Sequence, residues 1–221
     1  MRSPVLVIPP ASLPVSLDEA KKHLRVAIYD ADGAMLPGDD DALIDAYIEA
    51  AVSHLDGWTG ILSRALVEQT WRMDFDRFCT ELKLPLGPVI EIVSITWRND
   101  EGQIATIDSD EYLLRTDAGG NAHVRFRSAY SFPTGLYESD PVSVTFKAGY
   151  PTTPAVDADP EADPPVEAAP AVSTVPSAIK VAILLMVGHW YENREVTVSD
   201  SISQLPFAVN ALLAPFRRTS I

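Results

Sequence analysis

Cysteine is almost missing from this chain: Cys79 is the single thiol among 221 residues. An internal disulfide is thereby excluded, and one unpaired cysteine fits a reducing, cytosolic compartment. Histidine is scarce as well. His23, His54, His123 and His189 are scattered, and no HExxH, paired CxxC or clustered His/Cys/carboxylate spacing occurs, which argues against a zinc site. Basic residues are in short supply: 17 Lys and Arg stand against 31 Asp and Glu, a net charge of −14. That balance argues against a broad nucleic-acid-binding face, although an acidic wall suits DNA that passes without sticking. Long hydrophobic runs are lacking too. Val5–Ile8 stops at Pro9, too short for the core of a signal peptide, and the apolar stretch within 178–190 falls short of the roughly 20 residues of a membrane span. The expectation is a soluble protein with no export signal and no membrane segment. GxSxG, P-loop and GxGxxG patterns are also absent, and Cys79 has only Arg77 nearby to activate it. No catalytic, cofactor-binding or metal-ligating residue is assigned.

What is present is the pattern of a folded protein, 47% hydrophobic, with two kinds of periodicity. Ser16 and Glu19 have the spacing of a capping box, opening a short helix marked by Leu17, Ala20 and Leu24. A second helix begins near Asp40, with Leu43, Ile44, Tyr47, Ile48, Ala51, Val52 and Leu55 at three-and-four spacing, and ends near Gly57. From Leu66 to Phe75 the period becomes two, and further strands are predicted at 81–84, 89–98, 111–116, 122–127 and 142–148. Asn99–Gly102 and Asp117–Asn121 supply the turn residues between them. Pro176 opens a helix in which only Lys180 interrupts the apolar residues from Ala178 to Val187. Such a helix is expected to be buried around most of its circumference, in a tight bundle or with a neighbouring subunit covering it. A last short helix spans 206–213.

Residues 151–175 are compositionally different: seven prolines from Pro151 to Pro176, six alanines, and Asp157, Asp159, Glu161, Asp163 and Glu167 without a single basic residue. This predicts a mobile or polyproline-like tether, about 75 Å long if fully extended at about 3.1 Å per residue. The aspartates of the 30–41 region (Asp30, Asp32, Asp39, Asp40, Asp41) form the best candidate cation site. Gly33 falls at the wrong position for an EF-hand, however, and a solvated loop leading to an acidic helix N-terminus accounts for them better. At the C-terminal end, Phe216, Arg217 and Arg218 are equally consistent with a solubilising tail and with a short anchoring element.

Several segments in order resemble the head–tail connector (adaptor) proteins of tailed phages and related gene-transfer particles. They are SLDEAKKHLRV, DDDALIDAYIEAAVSHLDGWTG, LKLPLGPVIEIVSITWRNDEGQ, VSVTFKAGYP, VPSAIKVAILLMVGHWYENRE and the ending LLAPFRR. The resemblance spans nearly the whole chain; PLGPV and AGYP carry most of its specificity, and the acidic 151–175 stretch is longer than the pattern leads one to expect. It implies an α+β fold: a small helical bundle from the N- and C-terminal helices with an inserted antiparallel β domain. The divisions are 1–62 for the N-terminal helices, 63–150 for the β domain, 151–175 for the linker and 176–221 for the C-terminal helices and docking tail. It further implies a non-enzymatic subunit of a twelve-fold ring, monomeric until assembly, in the neck of a virion or phage-like particle built in the host cytoplasm. The ring's partners would be the portal protein and a stopper, neck or tail protein, with DNA passing through its channel without sequence-specific binding. On this resemblance Leu212, Leu213, Pro215, Phe216, Arg217 and Arg218 are expected to meet the portal. Ile179, Ile183, Leu184, Met186, Val187 and Trp190 are expected to pack the subunits. No cofactor is implied. Two other readings stay open: a small enzyme with a non-contiguous acidic site, and a stand-alone dimeric binding module.

Overall fold

The computed structural model describes residues 3–153, 172–194 and 207–218. Along the chain the elements are β1 (Val5–Ile8), α1 (Leu17–Leu24), β2 (Ile28–Tyr29), β3 (Met35–Leu36), α2 (Asp41–Leu55), β4 (Gln69–Phe75), β5 (Glu81–Leu84) and β6 (Val89–Arg98). These are followed by β7 (Ile104–Thr106), β8 (Tyr112–Thr116), β9 (Ala122–Phe126), β10 (Val142–Ala148), β11 (Thr152–Thr153), β12 (Val172–Ser173), α3 (Ser177–Glu192) and α4 (Phe207–Leu213). The fold is mixed α and β with antiparallel sheets, and it divides into two compact units: Met1–Ala11 with Ser63–Thr174, and Ser12–Leu62 with Val175–Ile221.

The first unit is built from alternation. Along β10 Val142, Val144, Phe146 and Ala148 are buried while Ser143, Thr145 and Lys147 are not, because successive side chains of a strand point to opposite faces. β10 lies between β4 and β6 in a five-stranded sheet of order β1-β4-β10-β6-β7. The smaller sheet, β5-β9-β8, turns Leu82, Leu84, Ala122, Val124 and Phe126 inward, and both sheets contribute to one apolar core. The β8–β9 turn is fixed by Asp117, whose carboxylate accepts the Asn121 N–H at 2.8 Å, with Gly120 at a φ of +77°.

The second unit is helical. The capping box of α1 is present: the Ser16 hydroxyl accepts the Glu19 N–H at 3.2 Å and the Glu19 carboxylate accepts the Ser16 N–H at 2.8 Å. α1 and α2 pack on each other and on α3, and α3 packs on α4. Ile44, Ile48, Ala51, Val52 and Leu55 of α2 and Ile179, Ala182, Ile183, Met186 and Val187 of α3 are all buried, spaced as one face of each helix.

Two expectations are corrected and one is refined. Residues 1–62 do not belong wholly to helices: Val5–Ile8 forms an edge strand on β4, with Leu6 opposite Trp71, and β2 pairs with β3 between α1 and α2. α3 is buried around most of its circumference, as expected, but not around all of it. Val181 is 42% exposed and Leu184 and Leu185 are half-buried, so the helix has an inner and an outer apolar face that its sequence does not distinguish. Finally, 151–175 does not run as a free tether from end to end, because Thr152 pairs with Ser173 and Thr153 with Val172. The chain leaves and returns at one antiparallel pair, where partner Cα atoms are about 5 Å apart. The acidic residues of the expected tether lie at 154–171, outside the described residues.

Gly149 sits at the exit of β10 with a φ of +124°, and a Cβ there would lie 2.1 Å from the Val67 carbonyl oxygen. Substitution therefore strains the backbone and pushes Val67 from Tyr150, its bridge partner. Gly149→Ala is expected to lower unfolding stability by more than about 1 kcal/mol, read from the shift in urea midpoint; an unchanged midpoint counts against this close approach.

Candidate functional site

Three of the five aspartates that suggested a cation site, Asp30, Asp40 and Asp41, are committed to protein partners. Asp30 accepts the N–H groups of Asp32 (3.0 Å) and Ala34 (2.8 Å), closing the turn before β3. Asp41, in the first turn of α2, is held by the Lys21 ammonium at 2.8 Å and by the Gly38 N–H at 2.9 Å. Lys21 itself is 2% exposed and gives a further hydrogen bond to the Leu36 carbonyl at 2.8 Å, so this buried cation is fully partnered. The Lys21 hydrogen bond, then that of Gly38, holds the Asp41 carboxyl below the usual carboxylate range. Asp40 accepts from the Tyr191 hydroxyl at 2.6 Å and from Arg194 at 2.8 Å, which lowers its own pKa and raises that of Tyr191. These bonds tie the start of α2 to α1 and to the end of α3. Among the described residues no group of three His, Cys, Asp or Glu side chains is placed to hold a metal ion.

The residues expected to pack subunits separate into two sets. Ile179, Ile183, Met186 and Val187 are at most 2% exposed and belong to the chain's own core, which corrects their assignment to a neighbour. Leu184 and Trp190 remain partly accessible, Trp190 with its ring 6.2 Å from that of Tyr47. The outer stripe of α3 reachable by another molecule is Val181, Leu184 and Leu185, spaced three and four residues apart.

The expected docking tail separates in the same way. Leu213 is fully buried and is therefore core, not contact surface. Leu212 and Phe216 are half-buried, while Pro215 and Arg217 are exposed. Arg217 donates to the Asn210 side chain at 2.8 Å, and the Arg218 N–H reaches the Leu62 carbonyl at 3.3 Å, so the tail folds back along its own unit.

Sequence reasoning missed one surface. On the outward side of β5-β9-β8, Lys83 stands across from His123 and His123 across from Arg115; Arg125 stands between Glu81 and Leu113. Arg127 continues the series just beyond β9, its Nε donating to the Asp110 carbonyl. The face holds an open concavity of about 660 Å³ lined by Leu113, Arg115, His123, Arg125, Phe126 and Arg127, among others. Its signal in the sequence was the H-x-R-x-R alternation from His123 to Arg127, with Arg115 and Lys83 brought alongside only by strand pairing.

No protein-family model and no curated protein sequence matches this chain. Its fold, however, is similar to that of chains in three solved particles. One comes from the neck of an empty GTA particle computed with C6 symmetry, with a TM-score of 0.69 and 20% identity, covering 100% of this chain and 97% of that one. A second, from the virion of a native gene transfer agent particle, gives 0.68 and 19% identity over 99% and 96%. A third, from the neck of a native GTA particle computed with C12 symmetry, gives 0.65 and 20% identity over 100% and 97%. At these identities the likeness is one of fold, and it takes in both units.

The Lys21–Asp41 pair makes a pH-dependent contribution whose sign is fixed. Because the folded pKa of Asp41 is lowered, the stabilisation is complete above its unfolded value of about 3.9 and is lost as pH falls through the folded pKa. Asp41→Asn should lower the melting temperature at neutral pH, and its gap from the wild type should close as the pH drops below about 4. A gap that stays constant across that range, measured by calorimetry, contradicts the pairing.

Proposed function

We propose that this chain is a structural neck component of a phage-like particle: a head–tail connector (adaptor) subunit, assembling as a ring between the portal and the next neck or tail protein and extending the DNA channel. The observation that carries this reading is the fold likeness over the full chain to chains from GTA necks and particles, two of them computed with C6 and C12 symmetry. In this reading the helical unit is a bundle into which the β unit is inserted, and the subunit has no catalytic role. It works in the particle neck, after assembly in the host cytoplasm.

A ring of identical subunits closes through heterologous contacts, one patch meeting a different patch on the next copy. The outer α3 stripe of Val181, Leu184 and Leu185 is the patch best suited to this on the helical unit, with Trp190 at its end. Each copy carries −14, so apolar contact has to offset like-charge repulsion between neighbours. The accessible part of the tail, Leu212, Pro215, Phe216, Arg217 and Arg218, is read as the portal contact: an apolar anchor beside guanidinium forks that suit carboxylates.

The test is assembly with a portal protein encoded beside this chain, imaged by electron microscopy. Rings on the portal, twelve-fold in the form proposed here, are the expected result, and failure to join portal-bearing heads refutes the reading. Val181→Asp alters an exposed position, so the subunit should stay folded by circular dichroism while ring formation falls at least about tenfold, the effect of roughly 1.4 kcal/mol per contact. Normal rings from that variant would exclude the α3 stripe. Removing residues 215–221 should leave the monomer folded and abolish co-sedimentation with portal; undiminished binding would move the portal contact elsewhere.

A further inference from the structure

The outward face of β5-β9-β8 gathers charge against the trend of the whole molecule. Lys83, Arg115, Arg125 and Arg127 are all exposed and His123 is half-buried among them; Glu81 is the one carboxylate on the paired strand positions, and Glu111 lies across from Arg127 just beyond them. Glu81 reaches Arg125 at 3.5 Å, with both side chains about half exposed, so this ion pair is weak and readily exchanged. Among the described residues Lys83 and Arg115 make no ion pair. The side chains recur every second residue along β9, about 7 Å apart, with neighbouring strands about 5 Å to either side. They form a grid of cations around an open concavity, on a protein whose net charge is −14.

We infer that this face is a sequence-independent binding surface for the phosphate backbone of double-stranded DNA. Three of the four cations are arginines, whose guanidinium forks engage phosphate oxygens two at a time. Exposed apolar surface on the paired strands of the face is confined to Leu113, too little for the buried anchor on which a protein partner's affinity rests. The cations surround an open concavity, and guanidinium and ammonium groups of this kind engage phosphates, which carry no sequence information, so contact stops at the backbone. The remaining surface is acidic enough to keep this contact weak and local, which suits a duplex that must be steadied and still slide. This function for the face rests on the neck reading above; the phosphate chemistry does not.

The probe is a short fluorescent duplex in two unrelated sequences, followed by anisotropy with the full chain. Wild-type protein should bind both equally at about 50 mM salt and lose affinity steeply toward 200 mM, with log K against log salt sloping at about −0.9 for each phosphate engaged. The triple change Lys83→Ser, Arg115→Ser, Arg125→Ser should weaken binding at least about tenfold and reduce the slope by roughly one for each cation removed. All three positions are exposed, and circular dichroism checks that the fold is kept; Arg115→Ser alone, with a loss of about one in slope, serves if the triple variant misfolds. No binding at low salt, unchanged binding by a folded variant, or tighter capture of polyglutamate than of DNA overturns the inference, the last pointing to an acidic protein surface instead. Ring assembly of the same variants is scored separately. Rings with lost DNA binding support the inference, whereas DNA binding without rings faults the neck reading and leaves this one standing.

Discussion

The antiparallel pairing of β4 with β10 is the constraint on which the rest of the chain depends. It runs in unbroken register from Gln69 opposite Ala148 to Phe75 opposite Val142, and Val67 bridges Tyr150 just beyond it. The strand that opens the paired core of the β unit and the one that closes it therefore lie side by side. About seventy intervening residues leave and re-enter at one place, and the helical segments before Ser63 and after Thr174 belong to the same compact unit. Gly149 makes this possible locally, because no side chain fits between the two backbones where they come closest. The β11–β12 pair repeats the device for the acidic 154–171 stretch, holding its two ends together.

Charge is organised on the same terms. A net charge of −14 taken alone implies an undifferentiated acidic surface. Instead Asp40 and Asp41 are drawn into the helical unit to satisfy Tyr191, Arg194 and the buried Lys21. Burying Lys21 unpartnered would cost several kcal/mol, so Asp41 is needed wherever that lysine is. In the β unit Lys147 does the reverse, standing between Glu68, just before β4, at 3.5 Å and Glu91 of β6 at 2.9 Å. What is left over is uneven, and the cationic grid on β5-β9-β8 is its most concentrated part.

For a subunit read as part of a ring, the division of α3 is the feature of most consequence. Its inner face is consumed by α1, α2 and α4, and its outer stripe of Val181, Leu184 and Leu185 is also apolar but only partly covered. A helix of nearly uniform hydrophobicity can serve core and contact at once, since association needs no chemistry different from folding. The same economy marks the tail, where Leu213 is core while Pro215 and Arg217, two to four residues on, face outward.

The sequence by itself determined the local elements. The Ser16–Glu19 box, the three-and-four spacing of α2, the alternation in β4 and the Asp117–Asn121 turn are set by interactions spanning a few residues, and each was legible. β1 and the β2–β3 hairpin were not: Val5–Ile8 is a strand only because β4 lies beside it, more than sixty residues later. The candidate site divides along the same line. That α3 is apolar was plain, but which of its leucines and valines face inward depended on where α1, α2 and α4 sit. That basic residues are few was plain as well, but their gathering on one face followed from the registers of β5 with β9 and β9 with β8. Only the tertiary structure decided these points, because side chains far apart in the chain become neighbours through backbone pairing and packing, which composition and periodicity do not encode.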